Sequence, residues 1–89
     1  MSAADGWSIQ LSMGEHDGQT YAEARLIMKD DDHLVGRGAA HRNPADMNVT
    51  EIGEEIALAR ALTDLGHRLL NAAATEIEAI THERARLHS

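Results

Sequence analysis

Six histidines and fifteen carboxylates are the residues of this 89-residue chain best suited to chemistry, and there is no cysteine. Without thiols, disulfides, thiolate nucleophiles and thiolate-ligated zinc are excluded. His82-Glu83 opens a zincin-like pattern, but Arg86 stands where the second histidine ligand belongs. His16 and His33 fall beside turns, His41 at a strand end, His67 on a helix and His88 in the tail, so no metal site is expected. Asp30-Asp31-Asp32 lacks the glycine and distal glutamate of a calcium loop and reads as a solvated turn. Glu51, Glu54 and Glu55 open a helix, where the macrodipole favours negative charge without any acid–base role. Gly36-Arg37-Gly38 is half of a dinucleotide fingerprint and lies inside a strand, and Ser2, Ser8 and Ser12 have no base near them. The expectation is a non-enzyme with no cofactor.

The arginines offer a different chemistry. The strand pairing described below sets Arg25 beside Arg37, with Gln10 across from Arg25 and Tyr21 near His41. Two opposed guanidinium groups repel, so the pair costs stability unless an anion or acidic neighbour answers it. Arg42 is close in sequence, and Arg84 and Arg86 lie in the tail. Together Arg25, Arg37, His41, Arg42, Arg84 and Arg86 form a candidate phosphate-contacting set. The competing reading is that Glu23 and water relieve the arginines, and that Ile27 and Val35 mark this face for partial burial. Asp64 and Arg60, four apart, read as an exposed helix pair.

The elements that would carry these residues follow from periodicity. Trp7, Ile9, Leu11 and Met13 alternate with polar or small residues, which predicts a strand with one apolar face. Asp17-Gly18 supplies a tight hairpin turn. A second strand then pairs Ala22 with Met13, Ala24 with Leu11, Leu26 with Ile9 and Met28 with Trp7. A three-residue acidic loop would bring Leu34 opposite Met28, Gly36 opposite Leu26, Gly38 opposite Ala24 and Ala40 opposite Ala22. Glycines inside a strand point to the close approach of another backbone, here the helix. A turn at residues 43–46 follows, then Asn48 and Glu51 at capping-box spacing. The helix expected from Asn48 to Thr81 carries Ile52, Ile56, Ala59, Leu62, Leu65 and Leu69 as its apolar stripe, widened by Leu58 and Leu70. Residues 1–6 and 83–89 read as flexible ends of a single domain.

The expected fold is therefore α+β, a three-stranded antiparallel sheet followed by one long helix. Residues 52–81 would span about 45 Å as a helix, against about 27 Å for an eight-residue strand. The excess must bend, with Gly66 the candidate position, or overhang. Leu69, Leu70, Ala73, Ile77 and Ile80 on that excess form a candidate dimer interface. Small size and a core without Phe favour the same conclusion. A formal charge of −7 opposes non-specific nucleic-acid binding. No signal-peptide pattern and no apolar stretch of membrane-spanning length is present, so the expected setting is the cytoplasm, with no membrane partner.

Several stretches acting together are more specific than any one of them. These are Glu15-His16-Asp17-Gly18, Ala22-Glu23-Ala24-Arg25-Leu26, Leu34-Val35-Gly36, Arg42-Asn43-Pro44-Ala45-Asp46, Glu51-Ile52-Gly53-Glu54-Glu55, Ala59-Arg60-Ala61-Leu62 and Thr81-His82. With them, the chain from Trp7 to about Leu87 resembles a family of small actinobacterial proteins with a double-stranded-RNA-binding-domain-like fold and no settled activity. The resemblance implies a β-β-β-α protomer that assembles as a dimer. It also implies a shape similar to ribosome hibernation-promoting factors, and so a role in stress or dormancy on the ribosome. Arg37, Thr50 and Arg84 depart from the family's usual residues. Two functions follow as expectations: a stress-linked homodimer contacting ribosomal RNA, or an acidic module that binds another protein.

Overall fold

The computed structural model describes residues 6–29, 32–41 and 50–87, with the chain ordered β1 (Ser8–His16), β2 (Gln19–Ile27), β3 (His33–His41) and α1 (Thr50–Leu87). The turn at residues 43–46, the cap at Asn48 and Arg42 lie outside the described residues. The sheet is antiparallel in the order β1-β2-β3.

The first hairpin follows the expected register, with Met13 opposite Ala22, Leu11 opposite Ala24 and Ile9 opposite Leu26. Asp17 and Gly18 both have positive φ, 50° and 74°, as a two-residue turn matched to strand twist requires. The second hairpin does not keep the expected pairing. Leu26 faces Leu34, Ala24 faces Gly36, Ala22 faces Gly38 and Thr20 faces Ala40, a shift of two residues. The connection between the strands is five residues, 28–32, closed by the Met28 N–H donating to the Asp32 carbonyl at 2.8 Å. A shift of two leaves every side chain on its expected face, so the alternation alone could not reveal it.

α1 lies across β2 and β3 and barely reaches β1. Its contact side is built from two alanines and one leucine: Ala57, Ala61 and Leu65 are buried against Ala22, Ala24, Leu26 and Ala40. A Cβ added to Gly36 would run into the backbone of Ala61 and Leu65, and one added to Gly38 into the backbone of Ala57 and Ala61. The bare strand thus admits the helix backbone itself. This corrects the expected stripe: Ile52, Ile56, Ala59, Leu62 and Leu70 are exposed, and of the expected set Leu58, Leu65 and Leu69 face the core. Bulky side chains cannot enter a contact this close, so alanines occupy it.

The helix is continuous through Gly66 and reaches Leu87, beyond the Thr81 end expected from sequence. Its 38 residues amount to about 57 Å, roughly twice the length of a nine-residue strand. The excess overhangs the β2–β3 end of the sheet, and the molecule is accordingly elongated, 64 × 35 × 17 Å.

Candidate interaction surfaces

On the outer sheet face, the corrected register replaces the opposed arginines. Arg25 lies between Gln10 and Val35, and Arg37 lies directly opposite Glu23. Glu23 answers both: its Oε2 is 3.6 Å from Arg25 Nη2 and its Oε1 is 3.5 Å from Arg37 Nε. The directly opposed arginine pair that called for an anion is therefore absent. Tyr21 stands opposite Gly14 and Ala39, and its hydroxyl donates to Gln19 Oε1 at 2.6 Å. Gln19 Nε2 in turn is 3.4 Å from His41 Nδ1, so Tyr21 and His41 are linked through Gln19 at the hairpin end of the sheet.

Among the described residues, the candidate phosphate contacts are not gathered into one patch. Arg25, Arg37 and His41 share the sheet face. The helical positions of Arg84 and Arg86 are at least about 36 Å along the axis from Arg60, which sits beside β3. Among the described residues no group of three or more His, Asp or Glu could hold a metal ion.

The β3 edge is closed by the helix flank. Arg60 Nη1 donates to the Ala39 carbonyl at 2.7 Å, and the Arg37 N–H donates to Asp64 Oδ2 at 2.9 Å. Asp64 also accepts from Arg68 Nε at 3.0 Å, so its ion-pair partner is Arg68 and not the expected Arg60. The Arg37 N–H, and then Arg68, hold the Asp64 carboxyl below the usual aspartate range. Sequence reasoning missed these side-chain-to-edge bonds. The signal for them was present in Gly36 and Gly38, since a helix lying that close to β3 brings its polar flank within reach of the edge.

The apolar surface is left uncovered in two places. Because α1 stops short of β1, the inward-facing Ile9, Leu11 and Met13 remain about half exposed, at 49, 49 and 48 %. On the overhang, Leu70, Ile77 and Ile80 are 68, 63 and 54 % exposed and Ala73 is exposed too, whereas Leu69 packs against the protomer's own core. Four of the five candidate dimer residues are thus available to a partner. Among the described residues no helix is long and apolar enough to cross a membrane.

A three-stranded antiparallel sheet backed by one oversized helix defines the class: a small α+β protein of β-β-β-α order. More particularly, the chain belongs to the Rv2632c-like family, whose model matches residues 5–86. It is 52 % identical over 81 residues to the uncharacterized protein Mb1767 of Mycobacterium bovis, covering 91 % of this chain and 85 % of that one. It is 44 % identical over 75 residues to the uncharacterized protein Rv2632c of Mycobacterium tuberculosis, covering 84 % and 80 %. The crystal structure of Rv2632c superposes with a TM-score of 0.78 at 43 % identity, covering 86 % of this chain and 90 % of that one.

Proposed function

We propose that the protein is a non-enzymatic cytoplasmic homodimer whose work is to bind another macromolecule. The observation that carries this reading is the apolar surface left open on β1 and along the outer helix. Isolated exposed side chains need no explanation, but two continuous apolar faces on one small chain mark contact sites. Sedimentation velocity across a concentration series tests the first half. A species of twice the protomer mass at micromolar concentration supports the reading, and a monomer at every concentration up to hundreds of micromolar removes it.

Of the two partner classes, the geometry favours a protein. Glu23 already answers Arg25 and Arg37, and the net charge of −7 repels a phosphate backbone. The second reading, a hibernation-like factor of dsRBD-like shape acting on the ribosome in stress, keeps one favourable observation. The Arg37 side chain is 70 % exposed on the same polar face as Tyr21 and Arg25. Gradient sedimentation of lysate from stressed cells separates the two. Co-migration with ribosomal particles that is lost as salt rises, and lost in Arg25→Ala/Arg37→Ala, supports the ribosome. Light fractions at gentle salt support the protein partner.

A further inference from the structure

The two edges of the sheet are finished differently. In an antiparallel sheet, successive residues of a strand turn their N–H and C=O groups first toward one neighbour and then away from it. His16 and Gln19 flank the two-residue turn and close it as a pair that exchanges both bonds. Counting back from them, Gln10, Ser12 and Gly14 bond to β2, and Ile9, Leu11, Met13 and Glu15 turn their backbone groups outward. Carried across β2, the same alternation turns Arg37 and Ala39 outward from β3. The bonds agree: the Arg37 N–H donates to Asp64, and the Ala39 carbonyl accepts from Arg60.

The helix flank thus closes the β3 edge, whereas among the described residues nothing bonds the outward groups of β1. Edge strands are ordinarily protected by lysine, proline, a bulge or a covering element. From Ser8 to Gly14, β1 has none of these and no charged side chain, and it pairs with β2 without a break. α1 barely reaches it, which leaves Ile9, Leu11 and Met13 about half exposed. A row of free backbone groups specifies its occupant more closely than an apolar patch does. An extended chain is what satisfies such groups one after another.

Charge narrows the choice of chain. Met13, Leu58, Glu51, Glu54 and Glu55 line an open cleft of about 230 Å³, and Glu15 follows Met13 on the same strand face. The helix dipole accounts for acids in the first turns of α1 but not for Glu15. None of the four glutamates is ion-paired among the described residues. The β1 strand of a second copy would bring no lysine or arginine to them, since neither type precedes Arg25. We propose that the β1 edge takes an extended segment of a partner protein as a fourth strand, apolar at alternate positions and carrying lysine or arginine at the end beside these glutamates. The proposal rests on the protein-partner reading above and names what that partner presents. Its apolar residues stand about 5 Å from Ile9, Leu11 and Met13 as cross-strand neighbours. Ladder bonds supply affinity, and the glutamates select a basic segment.

The probe is a synthetic peptide of alternating valine and threonine with two lysines at each end, added to the isotope-labelled full chain. Amide hydrogen exchange followed by NMR should find Gln10, Ser12 and Gly14 slow before addition, and Ile9, Leu11, Met13 and Glu15 fast. The peptide should slow the second set about tenfold or more. It should bind about tenfold more weakly when glutamates replace its lysines. The lysine peptide should lose as much on Glu51→Gln/Glu54→Gln/Glu55→Gln, with circular dichroism confirming that the variant is folded. No slowing at about 1 mM peptide, or equal binding of the two peptides, overturns the proposal. Slowing that follows protein concentration without any peptide puts a second copy on the edge and overturns it too. The protein-partner reading is tested apart from this, because only co-migration with ribosomal particles removes it.

Discussion

The two faces of α1 are built on opposite rules. The face that packs on the sheet is made of Ala57, Ala61 and Leu65, and it meets strands stripped to Ala22, Ala24, Gly36 and Gly38. The face that looks away carries Ile52, Ile56, Leu70, Ile77 and Ile80. Hydrophobicity alone ranks the outward face as the core. The contact is decided instead by how near two backbones come, and at Ala57 and Ala61 the gap is closed too far for a branched side chain, Leu65 being the one bulky residue fully buried on this face. Apart from Leu58, Leu65 and Leu69, bulk on this helix therefore marks what the protomer leaves unfilled.

The difference is broken most severely at the strand glycines. Gly36→Ala or Gly38→Ala puts a methyl into helix backbone, which no rotamer change can relieve. The cost should be about 3 kcal/mol or more, the upper range for overpacking and a large fraction of the stability of a domain of this size. Chemical denaturation followed by circular dichroism should find the unfolding midpoint of either variant shifted far below that of the wild type. A variant with wild-type stability would mean that the helix stands further from β3 than described.

How much of this was legible beforehand follows from the same distances. The first hairpin was readable because the Asp17-Gly18 turn and the alternation of Ile9, Leu11 and Met13 with polar residues specify one register independently. The second was readable in face but not in register. The acidic loop gave no sharp turn signal, and a slip of two keeps the alternation intact. That slip mattered for the candidate site, because it changed an Arg25–Arg37 pair into a Glu23–Arg37 pair. Gly36 and Gly38 did announce a close backbone, but alanine carries too little hydrophobic signal for Ala57 and Ala61 to outrank Ile52 and Ile56. The helix's excess length, and the exposure of Leu70, Ala73, Ile77 and Ile80, followed from counting alone.

A paired substitution sharpens the contrast between the faces. Leu65→Ala removes the largest buried side chain on the sheet-facing side and should cost about 2–3 kcal/mol. Ile56→Ala, made on the outward face, should change protomer stability by no more than about 0.5 kcal/mol. Both should be measured by denaturant titration at concentrations low enough to separate the copies. Equal costs at low concentration would erase the distinction between the faces.

The smallest effect belongs to the flank between them, where Asp64 ties α1 to the β3 edge. Its carboxylate accepts from the Arg37 N–H and from Arg68, and both bonds favour the charged form. A folded-state value below the ordinary aspartate value of about 3.9 means that the charge adds stability wherever the unfolded chain is also ionised. That contribution is complete well above about 3.9 and disappears as pH falls through the lowered folded value. Asp64→Asn keeps an acceptor for the Arg37 N–H and removes the charge, so it isolates this term. The variant should be slightly less stable than wild type at neutral pH, and the gap should narrow steadily on acidification until the two unfolding curves meet. A gap that stays constant down to strong acid would show that Asp64 acts through shape alone. The β3 edge would then owe its closure to the Arg60 bond to Ala39 and to the helix lying across Gly36 and Gly38.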